Sequence, residues 1–164
     1  MRKRILPIFL SLVAAIALSA CGVVSTPSAD QPQDLSSYES VEGTKIKMTA
    51  GTTEVIITMN DSRAAADLVS MLPLELTLIE RNEFAKGMTL PRNLSAQEET
   101  TRSYEIGDFG YWDAGPDLAI FYDDIYEQTI VPVIPLGKAD AGAEDMRNTS
   151  GTVTLERLET DTQS

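Results

Sequence analysis

The chain has 164 residues and a formal net charge of −12, with a single cysteine and no histidine. An acidic chain repels nucleic acid and anionic lipid, which argues against a nucleic-acid partner or a basic membrane-binding patch. Without histidine or a second cysteine, the chain lacks the usual nucleophile–base triads, the common zinc sites and any disulfide framework. We therefore expect neither a metal nor a cofactor.

The first twenty residues have the pattern of an export signal. Residues 1–4 read MRKR, residues 5–18 are almost entirely apolar, and LSAC follows at 18–21. The apolar run is shorter than the ~20 residues that cross a bilayer as a helix. LSAC resembles the lipobox of bacterial lipoproteins, which implies acylation of Cys21, with palmitate among the expected chains. The alternative is an ordinary secretory signal with a coincidental cysteine.

Residues 21–43 predict a flexible tether that begins at the lipidated cysteine. They are rich in Ser, Pro, Asp and Gln, and such a composition buries too little apolar surface to offset the entropy of ordering. Loss of Arg2, Lys3 and Arg4 with the signal takes the charge from −12 to −15. Attachment to the cell membrane, or to the outer membrane of a Gram-negative host, then rests on the lipid alone. One domain is predicted over 44–160, with a polar tail at 161–164.

The domain opens with a predicted hairpin and one helix. Residues 44–50 and 53–59 alternate between apolar and polar positions on either side of Gly51. Asn, Asp and Ser at 60–62 offer capping oxygens to a helix over 63–72, which Pro73 ends. Its apolar positions recur at helical spacing, namely at Ala65, Leu68, Val69 and Leu72.

Residues 72–81, LPLELTLIER, give the clearest strand pattern, with three alternating leucines. Residues 82–95 are predicted to be irregular, because Gly87 and Pro91 interrupt them. A polar excursion over 95–108 leads into GDFGYWDAGPDLAIFY at 107–122, where strands 110–112 and 118–122 flank a turn at 113–117. These strands are apolar on both faces, as in a barrel wall that is also covered from outside. Their aromatic residues serve either as core or as the floor of a ligand site.

The last part of the chain predicts an extended piece at 130–137, a helical turn at 140–146 and a strand at 151–158. Pro132 and Pro135 suit an edge or a bulge in the extended piece. Many short strands with one helix predict a mainly β fold, in which an antiparallel sheet curls or closes.

Five sequence pieces together resemble the bacterial cyclophilin-like family of small domains over about 44–158: KIKM, VIITMNDSRAAADLVSMLPLELTL, GDFGYW, LAIFY and PLGKA. The resemblance implies a closed antiparallel cyclophilin-like β-barrel with one short covering helix. True cyclophilins are peptidyl-prolyl cis/trans isomerases that use an arginine beside an apolar pocket with aromatic and histidine neighbours. Arg81 and Arg92 lie near the corresponding loop, but no motif matches either to that arginine, and histidine is absent. The resemblance therefore favours a non-enzymatic role.

The segment at 82–93 is the best candidate for a recognition loop, because it mixes apolar and charged residues. With the aromatic stretch it predicts a ligand site of Glu83, Phe84, Arg92, Trp112 and Phe121. The alternative is a plug for one barrel end, formed by Phe84, Met88 and Leu90. Carboxylates at Asp113, Asp117, Asp123 and Asp124 suit turns, and their spacing is not that of a calcium loop.

These observations favour a lipid-anchored envelope domain that binds a small molecule or a peptide without catalysis. A peptidyl-prolyl isomerase and a structural or protein-interaction module are the alternatives that the sequence leaves open.

Overall fold

The computed structural model of the chain describes residues 38–159. The predicted signal peptide at 1–20, the lipidation site Cys21, the tether up to residue 37 and the tail at 161–164 lie outside these described residues. Residues 38–43, assigned to the tether by their composition, contact the domain. The Tyr38 hydroxyl donates a hydrogen bond to Asp61 at 3.1 Å, and the Gly43 amide donates one to the Met59 carbonyl at 3.0 Å.

Eight strands form a closed antiparallel barrel in the order β1-β2-β7-β5-β6-β4-β3-β8, in which β8 pairs with β1. The mainly β fold and the barrel closure are thus confirmed. The elements in chain order are β1 Lys45–Ala50, β2 Thr53–Met59, α1 Arg63–Met71, β3 Leu74–Arg81, β4 Ala85–Thr89, β5 Asp108–Trp112, β6 Asp117–Phe121, β7 Ile134–Ala139, a 3₁₀ helix Ala143–Asn148 and β8 Thr152–Arg157.

The helix α1 and the 3₁₀ helix lie at opposite ends of the barrel. The helix α1 begins at the predicted cap, where the Ser62 hydroxyl accepts a hydrogen bond from the Ala65 amide at 3.0 Å. It follows the end of β2, whereas the 3₁₀ helix follows the end of β7, and these strands are antiparallel neighbours. Leu68 of α1 and Met146 of the 3₁₀ helix are both fully buried in the main core.

The prediction of irregular structure over 82–95 is wrong for residues 85–89, which form β4. This strand pairs with β3 on one side and β6 on the other. Gly87 lies in its middle, where a Cβ atom would stand 2.7 Å from Nε of Arg81. The glycine that suggested a break instead makes room for an arginine that lies across the strand.

Pro135 occupies a bulge, one of the two places that its sequence context predicts. A closed barrel has no edge strand. The pairing of β5 with β7 shifts register between Phe109 and Gly110, opposite Gly137 and Pro135. Gly137 is required here, because a Cβ atom would stand 2.4 Å from the backbone oxygen of Thr58.

The wall formed by β4, β6 and β5 is apolar on both faces, as the sequence predicts. Tyr111, Leu118 and Ile120 point inward, are fully buried and belong to the main core. The alternate residues point outward, where Ala85 and Phe121 join Phe84 and Tyr104 in a second apolar cluster. Loops rather than a helix cover this outer face.

Candidate functional site

Phe84, Trp112 and Phe121 lie together on the outer face of the barrel, where they border a partly open cleft of about 190 Å³. We call it the outer cleft. Its remaining lining residues come from the β3–β4 turn, from β4 and β6, and from the segment before β7: Arg81, Asn82, Ala85, Asp117, Leu118, Ala119, Thr129, Ile130, Val131 and Val133. Three of the five predicted ligand-site residues are therefore neighbours.

Strand alternation explains why these rings face outward. Trp112 follows the inward Tyr111 and pairs with Asp117, while Phe121 follows the inward Ile120 and pairs with Ala85. The outward positions between them carry small residues. Gly87 pairs with Ala119, which pairs in turn with Gly110. The Arg81 side chain lies over Gly87, and a Cβ atom at Gly110 would stand 3.4 Å from the Val133 side chain, so Ala119 is the one of these three that lines the outer cleft.

One border of the outer cleft is a packed aromatic cluster. The ring centroid of Phe84 lies 5.5 Å from that of Phe121 and 5.2 Å from that of Tyr104, and Tyr104 lies 4.7 Å from Phe121. Tyr126 adds an edge-to-face contact with Phe84 at 5.2 Å. These distances are those of favourable aromatic pairs, so this wall is held by its own packing.

The opposite border is formed by Trp112, which is half-buried. Its ring lies over the turn between β5 and β6, where a Cβ atom at Gly115 would stand 2.7 Å from Cζ3 of the ring. The glycine therefore allows the indole to rest on the turn.

The polar part of the outer cleft is an ion pair. Arg81 donates through Nη2 to Oδ2 of Asp117 at 2.7 Å, and Thr89 donates its hydroxyl to Oδ1 of Asp117 at 2.5 Å. The side chain of Arg81 is 41% exposed and that of Asp117 only 11%. Arg81 is one of the two arginines that the sequence offers for an isomerase, and the structure places it beside an apolar cleft with aromatic walls.

Residues 129–133, which the sequence analysis does not propose as part of a site, line one side of the outer cleft. The Thr129 amide donates a hydrogen bond to the Arg102 carbonyl at 2.8 Å, and Val133 forms an isolated bridge with Thr101. Ile130 stands at the rim and is 65% exposed. The apolar residues at 130–133 are the available signal, but the sequence predicts only an extended piece over 130–137.

The other two predicted ligand-site residues do not line the outer cleft. Glu83 is exposed in the turn between β3 and β4, with a positive φ of 61°. Arg92 donates through Nη2 to Oδ1 of Asp67 on α1 at 2.8 Å. Its guanidinium holds the pKa of the Asp67 carboxyl below its ordinary value. The structure thus places Arg92 against the helix.

The four aspartates weighed as calcium ligands are separated by their partners. Asp117 pairs with Arg81, and Asp123 with Arg147 of the 3₁₀ helix, while Asp113 and Asp124 are exposed. Within residues 38–159, no group of three His, Cys, Asp or Glu side chains is placed to hold a metal ion. No helix in this part of the chain is long and apolar enough to span a membrane.

A second polar cluster lies at the other end of β4, on its inward side. Lys86, with only 6% of its side chain exposed, donates to Oε2 of Glu80 at 2.6 Å. The Tyr122 hydroxyl donates to Oε1 of the same carboxylate at 2.6 Å. Burial alone would raise the pKa of Glu80, but these two hydrogen bonds lower it overall. The buried ammonium therefore has its counter-ion.

Comparison with known proteins agrees with this architecture. The family model described as the cyclophilin-like family matches residues 48–156. The solution structure of the hypothetical protein AF2241 from Archaeoglobus fulgidus is similar, with a TM-score of 0.61 and 16% identity over 73% of this chain and 98% of that one.

The structure of McbB in complex with tryptophan is also similar, with a TM-score of 0.54 and 14% identity over 73% of this chain but only 46% of that one. At these identities both likenesses show the fold alone. No curated protein matches the sequence. The match of the family model over most of the chain is decisive, and the protein belongs to the cyclophilin-like family.

Proposed function

We propose that this protein is a lipid-anchored domain of a bacterial envelope that binds a small molecule or a peptide in the outer cleft without catalysing a reaction. The observation that carries the proposal is the outer cleft itself, which has aromatic walls and one ion pair, Arg81–Asp117. Ligand sites are typically concave and mostly apolar, with a few polar groups that orient the ligand.

The aromatic walls favour a ligand with a flat apolar group. Phe84 and Phe121 already pack against each other, so a ligand ring can enter between this pair and Trp112 without separating them. McbB, which shares the fold, is described in complex with tryptophan. That likeness is a reason to include aromatic compounds among the ligands tested here.

A thermal-shift screen against metabolites, aromatic compounds and proline peptides tests the proposal. We expect a ligand that raises the melting temperature of the wild type, and a weaker effect with Phe84→Ala. Ile79→Ala is the matched control, because Ile79 lies on the outer face of β3 but does not line the outer cleft. A screen without any hit would favour a structural or protein-interaction role. The exposed apolar residues Ile125, Tyr126 and Ile130 would then be the first surface to examine.

The second candidate function is peptidyl-prolyl isomerisation, favoured by the position of Arg81 beside the outer cleft. Little chemistry is needed, since the barrier in solution is only about 20 kcal/mol. We rank it lower because Asp117 already engages Arg81 and the chain has no histidine.

An isomerisation assay on proline peptides decides between the two functions. Acceleration that Arg81→Ala abolishes and Arg92→Ala preserves would establish the enzyme, because only Arg81 borders the outer cleft. The non-catalytic proposal expects no acceleration by the wild type.

Anchoring rests on Cys21 in LSAC and is tested by metabolic labelling with palmitate. We expect the wild type to incorporate label and to partition into detergent, since each buried methylene contributes about 0.8 kcal/mol. Cys21→Ser should lose both properties, and Ser25→Ala, which leaves LSAC intact, should retain them. An unlabelled wild-type protein would support the alternative of an ordinary secretory signal.

A further inference from the structure

We infer that the outer cleft recognises an aromatic residue within a peptide chain through neutral amide groups, rather than a free amino acid. The inference rests on the proposed binding function and names the class of ligand. It follows from the ion pair at the polar end of the outer cleft and from the apolar residues around it.

The Arg81–Asp117 pair offers a donor and an acceptor side by side. One N–H group of the Arg81 guanidinium is engaged by Asp117, which leaves further N–H donors on a side chain that is 41% exposed. Each oxygen of Asp117 accepts one hydrogen bond, from Arg81 or from Thr89, and retains a second lone pair. In an extended peptide the N–H and the C=O of one residue point to the same side of the chain, so a residue with an amide on either side carries both complements, a carbonyl for Arg81 and an N–H for Asp117.

The same pair disfavours charged ligands. Its net charge is zero, so a free carboxylate that approaches Arg81 also meets Asp117, and a free ammonium that approaches Asp117 also meets Arg81. The surrounding walls are apolar, and an uncompensated charge is costly in such surroundings. A free amino acid carries both charges, whereas a residue inside a chain presents neutral peptide groups. The cleft therefore selects by charge as well as by shape.

The apolar part of the outer cleft suits one aromatic side chain. The whole outer cleft, its polar end included, has a free volume of about 190 Å³, and the rings of Phe84, Trp112 and Phe121 bound its apolar part. Ala85 and Ala119 add no bulk between these rings. Because the cleft is partly open, the chain on either side of the bound residue can leave it toward solvent.

Titration of the full-length chain with capped and uncapped phenylalanine tests the inference. Trp112 is the only tryptophan and borders the outer cleft, so its fluorescence reports binding. The probes are N-acetylphenylalanine amide, the N-acetyl acid, phenylalanine amide with its free amine, and an acetyl-Gly-Phe-Gly amide. We expect both fully capped, neutral compounds to bind about tenfold more tightly than either charged one. The acid loses a neutral amide and places its carboxylate near Asp117, and the amine loses the other amide and places its ammonium near Arg81.

Two substitutions should shift this preference in opposite directions. Asp117→Asn leaves the Arg81 charge uncompensated and should move the preference toward the acid. Arg81→Gln leaves the Asp117 charge and should move it toward the amine. The matched controls are Arg92→Gln and Asp67→Asn, which break a similar ion pair outside the outer cleft. They should leave the ratio of affinities unchanged.

Each ratio compares ligands on the same protein, so a variant of lower stability still reports selectivity while it remains folded. A wild type that binds the acid or the amine as tightly as the neutral amide would overturn the inference and leave the binding function standing. Unchanged ratios in both pair variants would overturn the role of Arg81 and Asp117. Failure of every probe, including the tripeptide, would count against the inference and the proposed function together.

Discussion

The inner and outer faces of one β-wall show how similar residues come to serve different purposes. On the inner face, Tyr111 and Ile120 are fully buried in a core that neighbouring strands fill. On the outer face, Trp112 and Phe121 alternate with them along the same strands but border a cleft. The inner neighbours are large, whereas the outer neighbours include Gly87, Gly110 and Ala119. Whether an aromatic residue packs in the core or borders a cleft therefore depends on the size of the side chains on the adjacent strands, and not on the aromatic residue itself.

The largest expected difference between the faces is in stability. Ile120→Ala removes a fully buried side chain from the main core and should lower the free energy of unfolding by about 2–5 kcal/mol. Ile79→Ala removes an outward side chain that is 36% exposed and should cost no more than about 1 kcal/mol. Urea denaturation of the two variants measures both values. Equal losses would mean that the outer face is packed as a core.

A smaller effect is expected where the inner face becomes polar, at Lys86 and Glu80. Glu80→Gln leaves the buried ammonium of Lys86 without its counter-ion, but Glu80 is half exposed, so we expect a loss of about 1–2 kcal/mol. Lys86→Met keeps the volume and removes the charge, and should be nearly neutral. Urea denaturation again compares them, and a larger loss for Lys86→Met would contradict this account.

The same pair makes stability depend on pH. The pKa of Glu80 is below its ordinary value in the folded protein, because hydrogen bonds from Lys86 and Tyr122 outweigh the opposing effect of burial. Its contribution is therefore fully present above the unfolded value of about 4.3 and is lost as pH falls through the lowered folded value. Urea denaturation from neutral pH down to acid should show this loss. In Glu80→Gln the free energy of unfolding should fall less steeply with decreasing pH than in the wild type. An equally steep fall would exclude Glu80 as the source of this pH dependence.

The smallest effect on stability is expected for Gly115→Ala, which should nevertheless change the position of the Trp112 ring on the outer face. The new Cβ atom would stand 2.7 Å from the Trp112 ring, which must tilt away from the turn. Since that ring is half-buried and can move, stability should change by less than about 1 kcal/mol. The fluorescence maximum should shift to the red, and ligand binding should weaken. Ala114→Ser, an exposed change in the same turn, is the control and should leave the spectrum unchanged.

The sequence predicted correctly those parts of the fold that depend on near neighbours. The alternation of β1 and β2, the Ser62 cap and the opposite directions of Tyr111 and Trp112 all follow from spacings of a few residues. It also supplied Phe84, Trp112 and Phe121 as site candidates, since aromatic residues on a two-faced strand invite that hypothesis. The export signal and Cys21 remain predictions, because they lie outside residues 38–159.

The prediction failed at β4 because local rules treat Gly87 as an interruption. This segment pairs with β3, which directly precedes it in a tight hairpin, and with β6 from about 30 residues further along the chain, and the hydrogen bonds to both outweigh its weak intrinsic preference for a strand. At Pro135 the local rule is correct but incomplete. It allows either an edge strand or a bulge, and because the closed barrel has no edge strand, only the bulge is possible.

The amino-acid sequence by itself determined most elements of this protein, with β4 as the exception, because turns, caps and strand alternation arise from contacts within a few residues. Only the tertiary structure decided the outer cleft. Arg81 meets Asp117 across 36 positions of chain, and the segment carrying Thr129 and Ile130 reaches the same place from beyond β6. The pairing of β4 with both β3 and β6 brings Arg81 and Asp117 together, and no local pattern records which of these distant residues will meet.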